Sequence, residues 1–199
     1  MISERALQAA MDSLAIERNA IQDMLSLLDP EAMCNAVDVL AGAQRIATCA
    51  SGSSGFAAMK LAHSLCCIEL PAKFMSPSEA VHGGLGYLKK GDVVVMVSRG
   101  GKTVELLPII DVCVKKQVTL IGVTENLSST LATSADIVLP LHIARESDSL
   151  NVMATSSFIA TIALFDALLA ALVEHTGYTL GQFAMIHPGG AVGAQLSKG

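Results

Sequence analysis

Tryptophan is absent from this sequence, tyrosine occurs twice and phenylalanine five times. That scarcity excludes the stacked aromatic surface on which single-stranded nucleic acids are held. Charge is thin as well, at 16% of residues, where roughly a quarter is usual. The formal net charge is −5 and no basic run occurs, so no nucleic-acid partner is expected. The five cysteines, Cys34, Cys49, Cys66, Cys67 and Cys113, are odd in number and lack a Cys-x-x-Cys spacing. Several fall inside apolar runs, so buried, reduced thiols in a cytoplasmic protein are expected. Glu4 and Arg5 stand where a secretory signal needs an apolar core,. The one stretch approaching a membrane span, residues 152–173, is broken by Thr155, Ser156, Ser157, Thr161 and Asp166. A buried helix is the better reading, with no membrane partner.

What the chain has in quantity is aliphatic side chain: 52% of its 199 residues are hydrophobic. That length suits one well-buried domain. So little charged surface also suggests burial between copies, and self-association as a dimer or tetramer is expected.

Residues 3–28 carry Ala6, Leu7, Ala10, Met11, Leu14, Ile21, Met24, Leu25 and Leu28 at helical spacing, and Asp29-Pro30 closes the pattern,. A second helix is predicted over 31–41, with Gly42 as its cap,. Residues 1–40 are thus expected to form a helical segment packing on a domain that spans 41–199. Strands are predicted at 45–50, 72–75, 92–98, 119–124 and 137–141. Helices are predicted at 55–67, 103–115, 128–134, 151–175 and 179–185, with a turn or short helix at 77–86 and a glycine-rich tail at 187–193. Alternating strands and helices specify an α/β three-layer sandwich with a five-stranded parallel sheet. The expected strand order is 2-1-3-4-5, flavodoxin-like, with the N-terminal helix pair added. In that order the first and third strands are neighbours and the chain direction switches between them.

Two polar loops follow those strands. The first runs Ala50-Ser51-Gly52-Ser53-Ser54-Gly55, the second Ser98-Arg99-Gly100-Gly101-Lys102-Thr103. Glycines let backbone N–H groups approach a ligand, hydroxyls add donors, and the following helix offers its positive end. A phosphate is the anion best suited to such a pair. The first loop is no dinucleotide fingerprint, because Ala50 replaces the first glycine and Phe74-Met75 stand where a ribose-binding carboxylate belongs,. Nor is it a P-loop, since no Gly-Lys-Ser/Thr triplet follows its glycine after a four-residue gap,. An ordinary short βα turn is the bland alternative. Lys102 and Arg99 either pair with an anionic substrate or are simply solvated. Glu105, one turn into the next helix, is a base or a dipole-compensating residue.

Four pieces in order make the pattern specific: Gly-Ser-Ser-Gly at 52–55, Pro-Ser-Glu-Ala-Val-His-Gly at 77–83, Asp-Val-Val through Ser98 and Gly101 to Glu105, and His-Pro-Gly-Gly-Ala-Val-Gly at 187–193. Together with Thr155-Ser156-Ser157 and Asp166-Ala167-Leu168 they resemble the sugar isomerase (SIS) domain, and more narrowly its arabinose-5-phosphate isomerase branch. The resemblance covers roughly residues 41–196. It implies a phosphosugar ligand and aldose–ketose isomerisation through an enediol; no cofactor is expected, and no metal, because Ser76 stands where the family has a metal-binding histidine. Full-length members often carry a pair of CBS modules after this domain, and none is expected here.

Carried over residue by residue, the resemblance implies Glu105, Glu146 and His187 as the catalytic set. It implies Ser51, Gly52, Ser53, Ser54, His82, Ser98, Gly100, Gly101, Lys102 and Thr103 as substrate-binding. A carboxylate acts as base on carbon, and histidine moves the hydroxyl protons. The sequence departs from the family pattern at four places: Ser53 stands for lysine, Ser76 for histidine, Gly84 for aspartate and Gly100 for serine. Lys102 is the candidate replacement for the missing cation. Two further readings remain open: a phosphosugar-binding module without turnover, and another reaction on a phosphosugar, such as etherase or amino-sugar chemistry.

Overall fold

The structure is a computed structural model and describes residues 3–189. Strands β1 (Ile46–Ala50), β2 (Ala72–Phe74), β3 (Val93–Val97), β4 (Thr119–Thr124) and β5 (Ile137–Pro140) form one sheet in the order β2-β1-β3-β4-β5. All pairs are parallel, with Ile46 to Ala50 matched against Val93 to Val97 in register. The expected architecture and strand order are both present.

The apolar run of β3 explains its central place. All five residues are buried, and alternate ones face opposite helix layers. Val93, Val95 and Val97 join a core with Leu40, Leu61, Phe165 and Leu168, while Val94 and Met96 join Leu106, Ile109 and Leu131. Each such side chain stabilises the fold by roughly 1.5–3 kcal/mol. The first layer comprises α2 (Pro30–Ala41), α3 (Gly52–Cys66) and α7 (Ser156–Thr176), with α1 (Glu4–Leu27) laid on α7. The second comprises α5 (Leu107–Lys116) and α6 (Thr130–Ser134), with α4 (Pro77–Ala80) packed against the turn that precedes α5. Helix α8 (Leu180–Ile186) follows α7 and buries none of its residues. Helix α7 is long and apolar enough to span a membrane by composition; here Phe165, Leu168 and Leu172 are fully buried against the core.

Three helix starts differ from the sequence reading by three residues or more. Helix α3 begins at Gly52 rather than 55, so Ser53 and Ser54 lie in its first turn. After Thr103 comes a 3-10 turn, Val104–Leu106, before α5 starts at Leu107. Helix α7 starts at Ser156 rather than 151. The Asp148 carboxylate accepts the N–H groups of Leu150, Val152 and Met153, and Asn151 takes a left-handed φ of 57°. That local ring of bonds competes with a helix. The region around 77–86 is both expected things in turn, α4 and a 3-10 turn at Gly84–Tyr87. The tail at 190–193 lies outside the described residues. Cys49 and Cys113 are buried, and burial pushes both thiols up to about 12. Cys34 and Cys66 are exposed, against the expectation of buried thiols throughout, because they fall on the outer faces of α2 and α3.

Candidate functional site

The C-terminal ends of β2, β1 and β3 lie side by side, and a cavity of about 330 Å³ opens there. Ser51, Gly52 and Phe56 supply one wall, Phe74, Ser76 and Ser78 a second, and Glu105 a third. Gly52 turns the chain into α3 at a φ of 60°, a conformation that favours glycine. Ser51 sits at the N-cap of α3 but makes no side-chain cap bond. By contrast, Ser3, Asp29, Ser129 and Thr179 cap α1, α2, α6 and α8. The first N–H groups of α3 therefore lack a hydroxyl acceptor from their own cap, at the end where the helix dipole is positive. Such a terminus receives an anion. Across the opening, the hydroxyls of Ser76 and Ser78 are 2.9 Å apart.

The second loop is braced from within. Ser98 Oγ and Thr103 Oγ1 lie 2.8 Å apart, and Gly101 N–H donates to Ser98 Oγ at 3.1 Å. Gly101 has a φ of 66°, and a Cβ there would stand 1.9 Å from Ser129 Oγ. Glycine is required at that point, because the loop is pressed onto the start of α6. Gly100, its neighbour, faces open space. Arg99 reaches away from the loop: its Nε donates to Glu125 and its Nη1 to Glu146, both at 2.8 Å. The sequence left this side chain either substrate-paired or solvated; it pairs with these two carboxylates while remaining 44% exposed.

Glu146 is only 3% exposed. Beside the Arg99 contact, its carboxylate accepts Ser157 Oγ at 2.5 Å, Ser157 N–H at 3.0 Å, Thr155 N–H at 3.0 Å and Thr155 Oγ1 at 3.2 Å. Burial alone pushes its pKa up, but the Ser157 and Thr155 bonds outweigh that, and the group sits below the ordinary carboxylate value,. It is ionised and fully bonded.

A family model described as SIS domain matches residues 39–171. The chain belongs to the SIS domain family. Arabinose 5-phosphate isomerase KdsD of Pseudomonas aeruginosa is 35% identical over 190 residues, which are 96% of this chain and 58% of that protein. The chain thus spans just under three fifths of the length of that curated relative. Among solved structures, a Listeria monocytogenes protein provisionally assigned as a sugar-phosphate isomerase shares 43% identity at a TM-score of 0.91, covering 95% of this chain and 100% of that one. An Escherichia coli CFT073 protein solved in complex with arabinose 5-phosphate shares 29% identity at a TM-score of 0.87, covering 94% of this chain and 100% of that one.

Within this SIS domain the sequence-implied residues do not all converge. Glu105 lines the cavity, as do Ser51 and Gly52. Ser53 and Ser54 follow in the first turn of α3. Ser98, Gly100, Gly101, Lys102 and Thr103 form the neighbouring loop outside the cavity walls, with Lys102 exposed. His82 is exposed on the turn after α4. His187 ends α8, where it stacks on Phe183 with ring centres 3.7 Å apart and pairs its Nδ1 with the Phe183 carbonyl at 2.8 Å. Neither histidine nor Glu146 reaches the cavity within one copy. Ser78, Phe56 and Met59 are cavity residues that sequence reasoning missed. The signal for Ser78 was available, because the loop after β2 emerges beside the loop after β1.

A roomier cleft of about 400 Å³ lies at the opposite sheet edge, lined by Cys113, Gln117, Thr119 and Asp136. It sits where strands begin, away from the helix N-termini that favour anions, so the smaller cavity is the better candidate. Among the described residues no three His, Cys, Asp or Glu side chains gather as metal ligands.

Proposed function

We propose that this SIS domain binds a phosphorylated sugar at the β1–α3 turn and interconverts its aldose and ketose forms. The observation that carries the reading is the cavity itself: an uncapped helix start and the Glu105 carboxylate open into one space. The phosphate takes the first N–H groups of α3 and the Ser51 hydroxyl. Glu105 removes the proton from C2 of the open-chain aldose, leaving an enediol, and returns it to C1 while a hydroxyl proton moves between the sugar oxygens. Lys102, on the adjoining loop, supplies the positive charge that the enediolate attracts. Glu146 serves by holding Arg99 and the start of α7. His187 reaches a sugar only from a second copy, so the active form is a dimer or tetramer. Five free cysteines suit a reducing cytoplasm. The ligand held by the Escherichia coli relative makes arabinose 5-phosphate the first substrate to try.

Incubation with pentose and hexose phosphates in deuterium oxide tests this directly. Exchange of the C2 proton is expected, and Glu105→Gln should reduce it by about two to four orders of magnitude while thermal stabilisation by the sugar phosphate persists. A second reading, a phosphosugar-binding module without turnover, is favoured by Ser53 at the family's lysine position and by a Glu146 with no spare oxygen. Binding with no exchange of any sugar phosphate would decide for it.

A further inference from the structure

Gly52, Gly55, Phe56 and Met59 of α3 all line the cavity, and their spacing of three and four residues puts them on one face of the helix. The face changes character along its length. At Gly52 it is bare backbone, which suits an ester anion. One turn further it carries two large apolar side chains, which on a helix lean back toward its start. Phe74 extends the same wall. A Cβ at Gly55 would stand 3.7 Å from Phe74 Cζ, so the ring lies against the bare turn.

Packing of the fold does not account for this wall. Helix α3 meets the core through Ala57, Ala58, Leu61 and Leu65, whereas Phe56 is 66% exposed and Met59 39%. The polar groups of the cavity stand apart from them: Ser51 at the helix start, Ser76 and Ser78 after β2, and Glu105 beyond the second loop. A sugar hydroxyl turned toward Phe56 and Met59 gives up its water and meets neither donor nor acceptor. A carbon without a hydroxyl buries apolar area there instead.

We propose that Phe56 and Met59 set the choice of substrate, favouring a deoxy aldose phosphate over a fully hydroxylated one. Isomerisation uses the C1 carbonyl and the C2 hydroxyl, so the missing hydroxyl belongs to a carbon between C2 and the ester. Those carbons bridge Glu105 and the start of α3, and the apolar wall flanks that span. This selectivity rests on the proposed function and narrows it to a substrate class.

Arabinose 5-phosphate and glucose 6-phosphate, each beside its 3-deoxy and 4-deoxy analogues, provide the test. Calorimetric titration gives the dissociation constants, and deuterium oxide reports exchange at C2. At least one analogue should bind about tenfold or more tightly than its parent, the usual worth of one apolar group in such a pocket. Phe56→Asn should bring that ratio close to one and Phe56→Leu should retain it, with circular dichroism and particle mass unchanged in both. Equal or weaker binding of every analogue would overturn the proposal while leaving the phosphosugar reading intact. If no sugar phosphate bound or exchanged, the proposed function would fall and this selectivity with it. A ratio that survives Phe56→Asn would assign the preference to another wall, and an altered particle mass in that variant would make Phe56 a contact between copies. Either result overturns the proposal.

Discussion

Two glutamates that the sequence ranked as equals have opposite surroundings. Glu105 is exposed and lines the cavity. Glu146 is enclosed by donors from Arg99, Thr155 and Ser157, so protonating it breaks bonds that hold the start of α7. Its depressed pKa sets the sign of a stability effect: the contribution is complete above the ordinary value of 4.5 and is lost as pH falls through the lower folded value,. Glu146→Gln should lower stability at neutral pH by about 1–3 kcal/mol, the cost of weakening the charge-assisted bonds that Thr155 and Ser157 donate to a buried carboxylate; Arg99 keeps its Glu125 partner. It should also flatten the acid limb of the stability curve below pH 4.5. Denaturant titrations at several pH values check both effects. Nothing in the local sequence separates the two residues, because Ser157 and Arg99 reach Glu146 only after the sheet has formed. Glu105 was legible, since it stands a fixed distance beyond a recognisable buried strand.

At the scale of elements, side-chain oxygens cap the starts of α1, α2, α6 and α8, while the start of α3 is left open at the cavity. Asp29 accepts N–H groups of Glu31 and Ala32 at 2.9 and 3.2 Å, while Ser51 accepts none from α3. Asp29→Ala should therefore cost about 1 kcal/mol by thermal or chemical unfolding. Ser51→Ala should change stability by less than about 0.5 kcal/mol yet weaken phosphosugar binding about tenfold, the worth of one hydrogen bond to a charged group. Calorimetry on both variants separates the two roles. Strand positions were readable because continuous apolar runs mark strands covered on both faces, as in β3. Helix starts were less so. The glycine at position 52 reads as loop from sequence but opens α3, and the Asp148 ring delays α7 by five residues relative to its apolar pattern.

The whole molecule gathers these parts because β1 and β3 pair while their helices leave toward opposite faces. The order β2-β1-β3 also sets the loop after β2 beside the loop after β1. That is why Ser76 and Ser78 join the cavity while the second loop, braced by Gly101 against Ser129, stays outside its walls. Topology and loop chemistry in the sequence pointed to the sheet edge at which the candidate cavity opens. They did not show which loops share the opening, which depends on how far α4 and the 3-10 turn after Thr103 lean over it. The most direct measurement is backbone amide chemical-shift mapping during titration with arabinose 5-phosphate. The amides of Gly52, Ser53 and Ser54 should move most, with smaller changes at Ser76, Ser78 and Glu105. Shifts centred on Gln117, Thr119 and Asp136, or no shifts at the start of α3, would contradict it.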